Sequence, residues 1–379
     1  MSAAIPPPPP EGNDWRICQY LLAHATRLGQ EGKWEEEVAV YEDLRRRFGA
    51  SADPKVQEVV SRARINLGTT LRLLGRAPEA LAAFREAVEH LGPAPGAAGA
   101  EERARALVLW GELLSELGQY EESLTRLTEV GPGPGAAPAA GPPGQRRWEA
   151  RALLDRGNVL NSEGHPREAL AMYEEVLHHV GGAPEPVFAP YVAEALMNRA
   201  ITLGEMGHPE QSVEIYQDLL SRYAATPDPD VRTQVANARV NLGLLYGSHG
   251  RVAEELAEYD QVVTSLSTTD DPRLLACLGR ALLNKGVAIG AGRRPRDELA
   301  QYREVVRRLE EREEAELREL VAQAMLNEAE ALIRLGQDDE ASATVDALIT
   351  RSAQDPDPAV QAIVGAAGEL AGRLPPPPR

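Results

Sequence analysis

The chain has 379 residues, with 40 basic against 58 acidic side chains for a net charge of −18, and 43% of its residues are hydrophobic. That hydrophobic share excludes a wholly disordered chain, and the acidic balance argues against a general binder of phosphate backbones. Cys18 and Cys277, the only cysteines, are too few for a disulfide framework and stand in no metal-ligand spacing.

The N-terminal stretch from Met1 to Gly12 contains Pro6–Pro10 and lacks both a basic n-region and an apolar h-region. It reads as a Pro-rich disordered tail over residues 1–13 rather than a secretory signal. No uninterrupted apolar run reaches the roughly 18 residues that a membrane span needs. Lys33, Lys55 and Lys285 are the only lysines, a bias that with the abundant Ala, Gly and Pro points to a bacterial, cytoplasmic protein.

An internal repeat then organises the chain. Ala25, Gly68, Gly111, Gly157, Ala200, Gly243, Gly286 and Ala329 recur at steps of 43 residues, with one step of 46. Seven residues after this anchor stands a turn glycine, as at Gly75, Gly164, Gly207, Gly250 and Gly336. An aromatic slot follows at Tyr41, Phe84, Tyr173, Tyr216, Tyr259 and Tyr302. Before the anchor, Ala63, Ala106, Ala152, Ala195, Ala238, Ala281 and Ala324 share one slot, and Ile65, Val108, Leu154, Met197, Val240, Leu283 and Leu326 another.

Fourteen residues ahead of the anchor come Pro54, Pro143, Pro186, Pro229 and Pro272, with Pro358 near the end; Asp53, Asp228, Asp271 and Asp357 precede four of them, and Glu185 another. Asp followed by Pro starts a helix, because the carboxylate accepts an orphan amide and Pro has no amide to lose. The first helix of each unit is thus expected to be long, for example Pro54 to Leu74, and the second shorter.

The predicted repeats span about 14–48, 53–91, 97–130, 143–180, 186–224, 229–267, 272–309 and 315–352, with a terminal cap over 358–374 and a Pro-rich tail over 375–379. The Gly/Pro stretch 131–144 interrupts them as a mobile loop. Arg293 stands where a turn glycine is expected, so Gly290 and Gly292 are expected to make that turn. With no Gly or Pro from Arg296 to Leu335, a turn near Glu310–Glu314 competes with one fused helix.

The NLG at 66–68 and at 241–243, followed by the turn glycine, a small residue and an aromatic, resembles the tetratricopeptide repeat family. The units here are longer than its usual length of about 34 residues. The resemblance implies an all-α, right-handed α-solenoid of about eight helix-turn-helix repeats plus a C-terminal capping helix. It also implies that each unit buries its apolar face on its neighbours and that the concave face binds protein or peptide.

In this family the slot two residues before the anchor faces the inner surface. It holds Asn66, Asp155, Asn198, Asn241, Asn284 and Asn327 here; Arg62, Arg105, Arg151 and Arg280 lie one turn earlier, and Asn158 one turn after Asp155. Carboxamides can meet both N–H and C=O of an extended backbone. The expected pairs are Arg62–Asn66, Arg280–Asn284 and Arg151–Asp155, in a groove for a segment with acidic side chains. The basic residue of a chaperone-tail clamp is missing, since apolar residues fill its slot.

No P-loop, nucleophile elbow, zinc-protease motif or paired-cysteine site is present, so no enzyme, cofactor or metal is expected. His165 and His208, in one turn slot, read as solvent-facing. Nucleic acid and membrane are not expected partners. Two other readings stand beside the adaptor. One is a self-assembling scaffold joined through the cap, where Val360, Ile363, Val364 and Leu370 form an apolar stripe. The other is a regulatory or sensor component acting with a separately encoded effector.

Overall fold

The computed structural model describes residues 13–92, 97–131, 142–180 and 186–374. Both Pro-rich tails, the Glu185 cap and most of the expected 131–144 loop lie outside them. The described residues are all-α, arranged as helical hairpins with one closing helix. The first four hairpins are α1 (Asp14–Gln30) with α2 (Trp34–Phe48), α3 (Pro54–Leu73) with α4 (Ala77–Leu91), α5 (Ala97–Glu116) with α6 (Tyr120–Thr128), and α7 (Pro143–Ser162) with α8 (Pro166–Val180). The next four are α9 (Ala189–Glu205) with α10 (Pro209–Tyr223), α11 (Pro229–Ser248) with α12 (Val252–Ser265), α13 (Pro272–Ala291) with α14 (Pro295–Leu309), and α15 (Ala315–Arg334) with α16 (Asp338–Ser352). Helix α17 (Pro358–Ala371) closes the series. The chain forms two compact units, Met1–Thr202 and Leu203–Arg379.

The helix starts follow from their caps. Asp53, Asp271 and Asp357 each accept a hydrogen bond from the amide two residues on, all at 2.9 Å, and Asp228 accepts from the Asp230 and Val231 amides. Pro186 departs from this pattern, because it opens a short 3-10 turn (Pro186–Phe188) before α9. The turns at Gly75, Gly164, Gly207, Gly250 and Gly336 take φ between 72° and 81°, the left-handed conformation that favours glycine. The seventh hairpin corrects the sequence reading. Arg293 itself takes φ 57°, while Gly292 keeps φ −77°. The chain also turns between Leu309 and Ala315, so α14 and α15 are separate helices.

The anchor glycines seat the aromatic slot. A Cβ at Gly243 would fall 2.6 Å from Tyr259 Cε1, one at Gly68 2.6 Å from Phe84 Cε1, and one at Gly157 2.5 Å from Tyr173 Cε1. The close approach is therefore ring edge to helix backbone within one hairpin, and all six slot aromatics are at most 2% exposed. A second small position, four residues after some anchors, covers a buried carboxylate. Gly29, Gly247 and Gly290 lie against Glu37, Glu255 and Glu298, and these receive the hydroxyls of Tyr41, Tyr259 and Tyr302.

Within each unit the odd-numbered helices pack on one another (α1 on α3, α3 on α5, α5 on α7; α11 on α13, α13 on α15, α15 on α17), whereas the even-numbered ones pack on their flanking odd helices. The odd helices thus form one layer from α1 to α7 and another from α11 to α17. Helix α13 is long and apolar enough to cross a membrane by length and composition, but two-thirds of it is buried against its neighbours, as in a core helix. In α17, Val360 is fully buried, and Ile363, Val364 and Leu370 pack on the core formed with α15 and α16. The apolar stripe of the cap seals the last hairpin.

Candidate functional site

The sequence-predicted residues stand on the odd-numbered helices, and all but the buried Asp155 are partly or well exposed. Several of the asparagines already serve the fold. Asn66 Nδ2 donates to Tyr41 Oη at 3.3 Å, and Asn241 Nδ2 donates to Tyr216 Oη at 3.2 Å. Each amide thus satisfies the buried hydroxyl of the preceding repeat, which a burial-driven fold would otherwise leave costly. Asn158 Oδ1 accepts from Tyr173 Oη at 3.0 Å and from Asn198 Nδ2 at 2.8 Å, and Asn327 accepts from Gln323. The side chain of Asn284 is half-buried and makes no hydrogen bond among the described residues.

The expected Arg–Asn pairs within one helix are corrected by the structure. Asn66 Oδ1 accepts instead from Arg105 Nη2 of the next repeat, at 2.8 Å. Arg62 turns to Glu58 at 2.9 Å and Glu102 at 2.7 Å. Arg280 reaches Glu316 at 2.9 Å and Asn237 at 2.8 Å, leaving Asn284 aside. A guanidinium gains from a carboxylate both a hydrogen bond and the attraction of a full opposite charge, which draws Arg62 and Arg280 towards Glu102 and Glu316. Arg151 does meet Asp155, at 3.1 Å.

Arg151 is also the centre of a larger network. Its Nε lies 3.1 Å from Glu112 Oε1, and its Nη1 3.6 Å from Glu194 Oε2. Glu112 in turn receives Arg72 Nη1 at 3.0 Å, and Arg72 also binds Glu116. Burial raises the Asp155 pKa, and Glu112 and Glu194 add to the rise against the opposing pull of Arg151. Glu194 is raised chiefly by burial as well, again opposed by Arg151. Burial works against the Arg151 charge, but Asp155, Glu194 and Glu112 together outweigh it and raise its pKa. The network borders a cavity of about 200 Å³ whose walls include Arg72, Glu112, Glu116, Arg151, Asp155 and Asn158.

Sequence reasoning missed these glutamates, although the register held the signal. Glu194 stands in the slot that holds Arg62, Arg105, Arg151 and Arg280, and Glu112 in the slot just after the anchor. That same slot carries Leu244 and Val287, two of the large apolar side chains left exposed.

Hairpins of this length, stacked through small anchors and lined on the odd helices by polar side chains, define a helical-repeat scaffold of the kind that binds protein or peptide. Residues 22–98 and 194–226 each match a tetratricopeptide repeat family profile. Over these residues the chain carries tetratricopeptide repeats. No curated protein matches it in sequence. Among solved structures it is similar to RapI in its apo form, at 11% identity and a TM-score of 0.56, covering 94% of this chain and 96% of that one. It is also similar to a Signal Transduction ATPase with Numerous Domains with a tetratricopeptide repeat sensor from Pyrococcus horikoshii, at 10% identity and a TM-score of 0.54, over 89% of this chain and 49% of that one. At such identities the likeness is one of fold.

Proposed function

We propose that the odd-helix layer of each unit is a surface on which this scaffold holds a peptide or protein segment, through Asn158 and Asn198 in the first and Asn241 and Asn284 in the second, with the flanking arginines. The observation that carries this reading is that carboxamide capacity remains on a polar, part-exposed helix layer. Asn284 has no partner among the described residues, and Asn241 uses its Nδ2 while its Oδ1 accepts nothing there. Leu244 and Val287, about half exposed, offer aliphatic contact beside these amides. An extended segment needs both kinds of contact: alternating backbone donors and acceptors, and a dry place for a side chain.

The charge pattern modifies the expected partner. Arg62, Arg105, Arg151 and Arg280 each have a carboxylate within 4 Å, so the layer offers few unmatched cations to an acidic segment. The deciding variant is Asn284→Ala, because it removes no internal hydrogen bond. With a partner identified by affinity capture from native cells and then purified, this variant should bind about fivefold more weakly, the effect of one hydrogen bond. Its melting should match that of the parent. Unchanged binding by Asn284→Ala, repeated for Leu244→Ala and Val287→Ala, would remove this layer from the interface.

A further inference from the structure

We propose that the segment Pro6–Pro10 docks on α1 over Tyr20 and His24 and seals that face of the first hairpin. Tyr20 stands five residues before Ala25, in the slot that holds alanine in the other seven repeats. Those alanines are at most 3% exposed, whereas Tyr20 is 37% exposed. Its ring stacks on that of His24, one turn later, with 6.4 Å between centroids and 13° between planes. Arg27 Nη2 donates to His24 Nδ1 at 2.9 Å and so fixes the imidazole. Helix α1 thus presents a two-ring surface where the rest of the array buries a methyl group.

The chain ahead of α1 has the reach and the chemistry to cover these rings. It enters at Asn13, the cap of α1. At about 1.5 Å per residue, Tyr20 and His24 lie about 10 and about 16 Å along the helix from that cap. Five prolines in a polyproline helix, at about 3.1 Å each, span about 15 Å, enough to pass both rings once the chain reverses at Gly12. Proline rings stack on aromatic faces, and the polyproline helix is extended beforehand, so ordering it costs little. Charge fits the same course. Glu11 is the one charged side chain from Met1 to Gly12, and Arg16, in the first turn of α1, has no carboxylate partner among the described residues. The reversal at Gly12 brings the two together. A tethered segment also outcompetes a separate molecule, because a short linker holds it at an effective concentration in the millimolar range.

The test uses the full chain carrying Ser2→Cys with a nitroxide label; Cys18 and Cys277 are fully buried, so this thiol is the accessible one. Paramagnetic broadening is read on the backbone amide signals of α1. A docked segment runs back along the helix, so the signals from His24 to Gln30 should lose most of their intensity and Asp14 the least. A free segment is tethered at Asn13 and would give the reverse order, broadening Asp14 to Ile17 most. Tyr20→Ala restores the alanine of the other repeats, with little risk to folding, and should switch the docked order to the free one. The free order in the parent chain would overturn the inference, and so would a docked order that Tyr20→Ala leaves unchanged. A mixture of nitroxide-bearing chains with separately isotope-labelled chains should show no broadening of α1. Broadening there would mean that the segment of one copy lies on α1 of another, and closure within one chain would be refuted.

Discussion

Arg293 is the residue at which the local rules are broken. It holds φ 57° where the other repeats use glycine, and a Cβ in that region is crowded by the neighbouring carbonyl. Arg293→Gly is expected to stabilise the chain by about 0.5–1 kcal/mol, since relieved crowding exceeds the added freedom of the unfolded chain. Urea denaturation followed by circular dichroism would show it, and a lower midpoint in the variant would contradict it. Gly243 is the opposite case. The Tyr259 ring occupies the place of its absent Cβ, so Gly243→Ala should cost about 1–3 kcal/mol by overpacking. Gly111 sits against Leu127 in the same way, which shows that an aliphatic residue also suits the slot. Adding Tyr259→Leu should therefore recover part of the loss, and strict additivity of the two substitutions would argue against a direct contact.

At the scale of the hairpin, the buried glutamates make the fold sensitive to pH. Glu255 is 9% exposed beneath Gly247, and burial raises its pKa against the opposing hydrogen bond from Tyr259. Glu37 is raised for the same reason, opposed by Tyr41 and Thr70. A carboxyl whose pKa is higher folded than unfolded binds its proton more tightly in the native state. Its contribution is then complete below the unfolded value of about 4.3 and is lost as pH rises through the folded one. Glu255→Gln keeps an acceptor for the Tyr259 hydroxyl and removes the charge. The variant should be the more stable protein at pH 8, with the advantage disappearing near pH 4; urea midpoints across that range would measure it, and a constant difference would refute it.

The helix starts were legible in the sequence because Asp-Pro and Gly signals act locally. The glutamates were not: Glu37 looks like a solvated charge until the other helix of its hairpin brings Gly29 against it, and Glu112 and Glu194 until a neighbouring repeat brings an arginine to them. The same holds for the asparagine slot, whose tie to the preceding tyrosine is a contact between repeats.

On the scale of each unit, stability is carried between neighbours: in the first unit one apolar cluster runs from Cys18 in α1 to Ala152 in α7, and in the second another runs from Ala236 in α11 to Ala341 in α16. Ending the chain before Pro358 removes α17, whose Val360 and Ala367 are fully buried against a cluster containing Ala322, Ala329, Val345 and Leu348. With those side chains opened to water, α15 and α16 lose the face that holds them, and at about 25 cal/mol per Å² of apolar area the loss is enough to unfasten one hairpin. Because coupling in a repeat array passes from neighbour to neighbour, the effect should fade along the chain. Amide hydrogen exchange on the truncated protein is expected to accelerate most in α15 and α16, less in α13 and α14, and not measurably in α1 to α8. A uniform acceleration from α1 onwards would mean that the chain opens as one cooperative body, and the account of stability as a sum of local interfaces would fail.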